Sequence, residues 1–416
     1  MIIEVHQSDD NFEITENIVH VMEVAPFGQP DGMLESLFTA KGQLLSASGA
    51  DTPVVIPAPV SNGLSPISDS SQANGWKLGV PSVSVEDNTN HLINGGFSFA
   101  QRQAPGTDTT ITDEKYSADR WRITRENAAL QFSRQDASGE SGLTSRHFGK
   151  FTKITNAGKF AIYQPLEFES SIPLRGRDVV FQIQMKASAA KTIKIAIIEL
   201  QAAGTSDSLP AAFVGAWNVD STDPTLGTNL AVVGSVQSCS VTTAWQNFSV
   251  TGTIPSDSKN LILAIWSDAD FSATDWLALA EAGFYRGSST QTWAPRHKKT
   301  EQELCERYFR KSYTLDVAPG AVDSLGRWGG IGASTQYIVP FHAFPHSMRG
   351  TPSIAIYSPA TGTASKVANF GGTDVGSAAS AISFESPRSF RLIGDSGTPY
   401  AGGTLYFFHY TAEAEL

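Results

Sequence analysis

Apolar and polar residues alternate along much of this chain with a period of two, the spacing that places every second side chain on one face of a strand. The stretch 179–187, V-V-F-Q-I-Q-M-K-A, is the clearest case: Val179, Phe181, Ile183 and Met185 share one face, while Gln182, Gln184 and Lys186 share the other. Comparable runs of five to ten residues lie at 120–124, 159–166, 192–200, 245–253, 260–267 and 276–285. They are rich in β-branched and aromatic types and bounded by Gly, Pro, Asp or Ser, as strands are. About eight such strands between residues 90 and 295 predict a β-sandwich of jelly-roll type. Strand signals return at 336–342, 353–357, 381–384, 389–392 and 404–410, and predict a second, smaller β-sandwich over 313–416.

Between the two, residues 300–312 (T-E-Q-E-L-C-E-R-Y-F-R-K-S) break the β pattern. Thr300 followed by Glu303 reads as a capping box, in which hydroxyl and carboxylate satisfy free amides of the first turn. Leu304, Tyr308 and Lys311 follow at helical spacing, so a short connector helix over 300–312 is expected. The N-terminal part differs again. Residues 13–24 alternate as a strand does, but 39–85 hold only short apolar pairs separated by Gly, Pro, Asn-Gly and Ser-Asp turns. Such a segment buries too little to offset the entropy of ordering it. It becomes credible when copies from several chains wrap one axis, which predicts a homotrimer. The expected fold class is therefore all-β: an extended N-terminal oligomerisation segment (1–85), a jelly-roll β-sandwich (90–295), a connector helix (300–312) and a C-terminal β-sandwich (313–416).

Composition refines this picture. At 416 residues the chain is long enough for two or three domains, and 41% apolar content supplies real cores. Charged residues are only 17%, below the usual quarter or so, which suits a protein held in an assembly. Of the net charge of −11, a share of −8 lies in residues 1–85, where ten acidic side chains face only Lys41 and Lys77. An acidic leading segment repels nucleic acid and membrane phosphates and suits docking on a basic partner surface. No nucleic-acid partner and no membrane insertion are expected: no stretch approaches 18 apolar residues, and the opening ten lack the basic start and apolar core of an export signal. Cys239 and Cys305 are isolated, without metal or disulfide spacing. The eight histidines show no ligand spacing; His342 and His346 are interrupted by Phe344-Pro345. No phosphate-binding glycine loop and no nucleophile elbow occur, so neither cofactor, metal nor catalytic residue is expected.

Three stretches carry a resemblance: T-A-K-G-Q-L-L-S-A-S-G-A-D-T-P (39–53) with S-D-S-S-Q-A-N-G-W-K (68–77); L-I-N-G-G-F-S-F-A-Q-R (92–102) with Y-S-A-D-R-W-R (116–122); and T-W-A-P-R (292–296) with E-L-C-E-R-Y-F-R-K-S-Y (303–313). In order and spacing they resemble tailed-phage virion fibre and tail-fibre-like structural proteins with a carbohydrate-binding-like jelly-roll module. The resemblance implies a structural fibre subunit of the virion, assembled in the host cytoplasm, with capsid or tail proteins as partners of its N-terminal segment and a host receptor or surface glycan as ligand. In similar jelly rolls a structural calcium often sits near the L-I-N-G-G-F opening; here Ser98 stands where an acidic residue would strengthen that reading. Asn94-Gly95-Gly96 suits positive φ beside a strand start, and Asp119-Arg120-Trp121-Arg122 reads as Trp121 inside with both arginines outside.

For glycan binding, sugar C–H faces stack on indole rings while amide and carboxylate oxygens hold hydroxyls. Trp217 in the loop-like G-A-W-N-V-D, with Asn218 and Asp220 beside it, and Trp266 in I-W-S-D, beside Asp268, are the candidate platforms. The competing reading makes both tryptophans core residues. Glu199, Asp268, Asp270 and Asp275 are the acids open to a glycosidase reading, against which stands their likeness to turn and rim residues. Two other functions stay open: a tailspike-like polysaccharide depolymerase, and a head fibre or decoration protein that never contacts the host.

Overall fold

A computed structural model of the chain describes residues 6–8, 11–13, 44–49, 52–56, 65–68, 71–72, 75–79, 89–127, 129–333, 337–339, 341–375, 381–393 and 400–416. The architecture is all-β, with helix confined to short segments. The chain divides into two compact units, Met1–Val85 and Glu86–Leu416. Among the described residues the first contains three antiparallel hairpins: His6–Ser8 with Asn11–Glu13, Leu44–Gly49 with Thr52–Ile56, and Ser65–Ser68 with Trp76–Gly79. A two-stranded hairpin by itself is marginal in water. Beyond Glu13, the strand expected over 13–24 lies outside the described residues.

The second unit holds two β-sandwiches. In the first, one six-stranded antiparallel sheet runs Gln246–Thr253, Asp178–Ala187, Trp276–Arg286, His147–Lys153, Leu130–Asp136, Thr109–Ile111. The opposing sheet runs Leu230–Val241, Lys191–Leu200, Leu261–Ser267, Phe160–Pro165, Arg122–Arg125, Lys115–Tyr116. Val179, Phe181, Ile183 and Met185 all point into the core between the sheets, where Phe97, Trp121, Phe132 and Phe151 also meet. Phe97 stacks on Trp121 at 5.0 Å between ring centroids, and Phe132 meets Phe151 at 5.0 Å. Aromatic pairs of this kind add about 0.5–1.5 kcal/mol each beyond their burial.

The L-I-N-G-G-F turn locks the entrance to this sandwich. Positive φ falls on Asn94 (+57°) and Phe97 (+51°), not on the glycines. Gly95 is needed for space: a Cβ there would lie 2.1 Å from the Ala282 carbonyl oxygen. The Asn94 amide donates to the carbonyls of Phe99 (2.7 Å) and Asp119 (3.0 Å), its Oδ1 accepts from the Phe99 amide, and its own carbonyl accepts the Trp121 indole N–H at 3.0 Å. The side-chain oxygen of this corner is thus taken up by an N–H donor, and no group of three or more His, Cys, Asp or Glu able to hold a metal ion occurs among the described residues.

The connector helix spans Lys298–Glu306, not 300–312. Its N-cap is His297, with no side-chain cap bond, and Glu303 pairs with Lys299 at 3.8 Å and His346 at 3.5 Å. The capping box therefore does not form. The helix ends early because Phe309–Lys311 is recruited as a strand beside Leu405–Glu413. That nine-residue strand is the spine of the second sandwich: its first half pairs with Trp328–Ala333 and Val367–Asn369, its second half with Ser353–Tyr357 and Phe309–Lys311. The core here is Phe344, Met348, Ile356, Val367, Phe390, Tyr406, Phe408 and Tyr410.

Arg120, expected outside with Arg122, is buried and pairs with Glu415 at the far end of the chain. Its Nη2 also donates to the Pro165 carbonyl at 2.6 Å, and its guanidinium lies 3.6 Å over the Tyr308 ring. Arg102 reaches Glu415 at 3.1 Å and Glu413 at 3.3 Å, and the Tyr116 hydroxyl donates to the Leu416 carbonyl at 3.1 Å. The two sandwiches are thereby clasped by ionic contacts across a shared boundary.

Candidate functional site

The four residues that sequence reasoning singled out lie on one side of the first sandwich. The connection 201–229 folds back over the outer face of the Leu261–Ser267 sheet. There Phe213 and Val214 cover Ala161, Tyr163, Ala196, Ile198, Ile262, Ala264 and Trp266. Trp266 is only 2% exposed and is a core residue, contrary to its role as a platform. Strand alternation points it to the outer face, but that face is sealed by the connection. Trp217 is half-buried against the same cluster. The Asn218 amide donates to the Asp223 carbonyl at 2.6 Å, and the Asn218 carbonyl accepts from Lys159 Nζ at 2.5 Å. Asp268 is buried, 3.6 Å from Lys194 Nζ, and its carbonyl accepts the Ser221 amide at 3.0 Å. The tertiary fold thus gathers all four, as parts of a closed lid and its anchors. Asp275 pairs with Lys191 at 2.6 Å and Glu199 accepts from Ser258, so these acids serve separate local contacts.

The outer face of the opposite sheet carries an aromatic set that sequence reasoning did not assemble: Phe148, Trp245 and Trp276 around the buried Ala278 and Ala280. Lys186 Nζ lies 4.9 Å from the Trp245 ring centre and 5.3 Å from that of Phe148, and pairs with Glu140 at 2.5 Å. Glu140 also accepts the Trp245 indole N–H at 3.0 Å. The protein's own cation thus occupies these ring faces.

An open cleft of about 770 Å³ lies elsewhere, at the meeting of the entrance turn, two strand ends, the segment 293–296, the first turn of the connector helix, and the second sandwich. That volume is within the range of small-ligand sites. Trp293 forms one wall. Its indole N–H donates to the Ala282 carbonyl at 3.1 Å, and it fits against Gly96, where a Cβ would sit 3.1 Å from the ring. Arg134 donates to the Ser98 carbonyl at 2.7 Å and pairs with Asp316 of the second sandwich at 3.1 Å. Arg296 donates to the Leu92 carbonyl at 2.7 Å and pairs with Glu301 at 3.1 Å; Glu301 also accepts the Asn94 amide. Arg146 and Lys298 extend from the rim.

Two polar atoms in the wall are buried without a partner: Ser145 Oγ and His147 Nδ1. Burial first, and then the cations Arg134, Arg146 and Lys298, hold His147 below the usual imidazole range against the opposing pull of Asp136. Asp136 is itself held below the carboxylate range, chiefly by hydrogen bonds from Ser138. Each cleft carboxylate therefore has an arginine within reach: Asp136 with Arg146 (3.9 Å), Glu301 with Arg296, Asp316 with Arg134. A general-acid role requires a carboxyl that keeps its proton. In the sequence, T-W-A-P-R stood out only through its resemblance to fibre proteins. No local spacing reveals the cleft, because its walls run from Asn90 to Asp316, segments more than two hundred residues apart in sequence.

No protein-family model matches the chain, and no curated protein matches it. Among solved structures, the carbohydrate-binding module TmCBM61 in complex with β-1,4-galactotriose is 14% identical, with a TM-score of 0.28, covering 48% of this chain and 99% of that one. The enzymatically active domain of bacteriophage CBA120 tailspike protein 4 is 10% identical, with a TM-score of 0.29, covering 48% of this chain and 21% of that one. The C-terminal family 22 carbohydrate-binding module of Clostridium thermocellum Xyn10B is 12% identical, with a TM-score of 0.27, covering 48% of this chain and 98% of that one.

Proposed function

We propose that this chain is a non-catalytic, glycan-binding subunit of a phage fibre, trimeric through its N-terminal segment and carried on the virion. The observation that carries the binding role is the cleft, where an indole wall stands beside arginine, serine and histidine groups in a space sized for a few sugar rings. The reading without catalysis is supported by the pairing of every cleft carboxylate with an arginine. The fibre role is supported by the three motifs that resemble fibre proteins and by N-terminal hairpins too small to stand alone. A single shallow site binds weakly, on the order of 1 mM, and three copies on one fibre raise avidity through effective concentration.

The test is adsorption of the full-length protein to host cells, with Trp293→Ala as the variant and a thermal melt confirming its fold. Adsorption should fall sharply, and incubation with host polysaccharide should release no oligosaccharide. Normal adsorption by a folded Trp293→Ala protein removes the cleft from the reading, and released oligosaccharide makes the chain a depolymerase. Light scattering should report a trimer; a monomer at micromolar concentration overturns the assembly.

A further inference from the structure

Resting on the glycan-binding reading, we infer that the cleft selects an acidic saccharide, one whose sugar ring carries an oxyanion such as a carboxylate. Of its cations, two are already engaged: Arg134 holds the Ser98 carbonyl and Asp316, and Arg296 holds the Leu92 carbonyl and Glu301. The two at the rim are not. Arg146 has an 82% exposed side chain and, among the described residues, its one ion pair is to Asp136 at 3.9 Å, the outer limit of such a contact. Asp136 already accepts the Ser138 amide at 2.7 Å. Lys298 makes no ion pair among the described residues and stands at the start of the connector helix. The rim therefore has spare cationic donors in a protein whose net charge is −11.

The wall behind them supplies an independent observation. Ser145 is 6% exposed, and its Oγ has no hydrogen-bond partner. Its backbone amide is committed to Glu281 at 2.7 Å, which fixes the residue in the cleft wall. A buried hydroxyl without a partner is unfavourable, and it marks this wall as incompletely satisfied. His147 adds a second unpartnered nitrogen on the same wall. Trp293 takes an apolar ring face, and Arg146 with Lys298 meets the negative charge. Charge-assisted hydrogen bonds of this type are roughly twice as strong as neutral ones.

Calorimetric titration of the full chain with three oligosaccharides of equal length tests this: a neutral hexose oligomer, a hexuronate oligomer and a sulfated oligomer. The acidic oligomers should bind at least about tenfold more tightly than the neutral one, with the gap closing as salt is raised. Whichever acid binds better names the oxyanion. The double variant Arg146→Gln, Lys298→Gln changes only exposed side chains and should reduce acidic binding about tenfold, with a clearly smaller effect on neutral binding. Equal affinity for neutral and acidic oligomers, or acidic binding that survives the double variant, overturns the charge selectivity while the glycan reading stands. Absence of binding to all three at millimolar concentration removes both.

Discussion

Glu415 and Glu413 offer a controlled comparison, because both approach Arg102 at nearly the same distance, 3.1 and 3.3 Å, yet their side chains are 5% and 46% exposed. Glu413 is a rim partner, and its removal should cost under about 1 kcal/mol, as exposed pairs do. Glu415 also pairs with Arg120, whose side chain is 1% exposed. Glu415→Ala would leave that guanidinium buried, with only the Pro165 carbonyl and the Tyr308 ring as company. Stranding a buried charge in this way costs about 3–5 kcal/mol. With a urea m-value of about 3 kcal/mol per molar, expected for a unit of this size, the unfolding midpoint should fall by about 1 M or more. Glu413→Ala should move it by less than about 0.3 M. Adding Arg120→Met to Glu415→Ala should recover part of the loss, since the stranded charge is then gone. Equal effects for the two glutamates, or a double variant weaker than Glu415→Ala, would refute the claim that burial decides the strength of this clasp.

Trp266→Ala should destabilise the chain by about 3–5 kcal/mol in urea titrations, as truncation of a buried aromatic does; adsorption lost without loss of stability would return this residue to the binding role. His342 sits among Trp328, Phe344, Phe390 and Tyr410 with neither ring nitrogen partnered, and burial followed by Arg310 lowers its pKa to about 4. Because the folded value lies below the unfolded one of 6.5, the unfolded chain binds the proton more readily. Stability is therefore intact above pH 6.5 and should fall by about 3 kcal/mol as pH drops to 4, with the slope reduced in His342→Leu measured by urea unfolding at each pH.

Much of the strand inventory was legible in the residues. The alternation over Asp178–Ala187 assigned inner and outer faces as they are found, and Lys191–Leu200, Leu261–Ser267 and Trp276–Arg286 begin or end within a residue of the pattern. Period-two patterning is local, and a half-buried strand prints it directly into the sequence. Leu230–Val241 was missed because much of it is exposed, so its alternation is weak. The connector helix was legible in kind but not in extent: it starts at Lys298, ahead of the expected cap at Thr300, and pairing of Phe309–Lys311 with the last strand ends it early.

What alternation does not state is which face of a sheet another part of the chain will cover. Trp266 and Trp293 both looked exposed or incidental for reasons internal to their own segments. The connection 201–229 buried the first, while the second became a cleft wall through contact with Ala282 and Gly96. Arg120 followed the same rule, since its acidic partner lies 295 residues away at the chain's end. The β class, the two sandwiches and the inward faces of their strands follow from spacing within a few residues and are therefore written locally in the chain. Which tryptophans are open, which arginines are buried and where a cleft exists depend on segments brought together across hundreds of residues, and folding alone sets them.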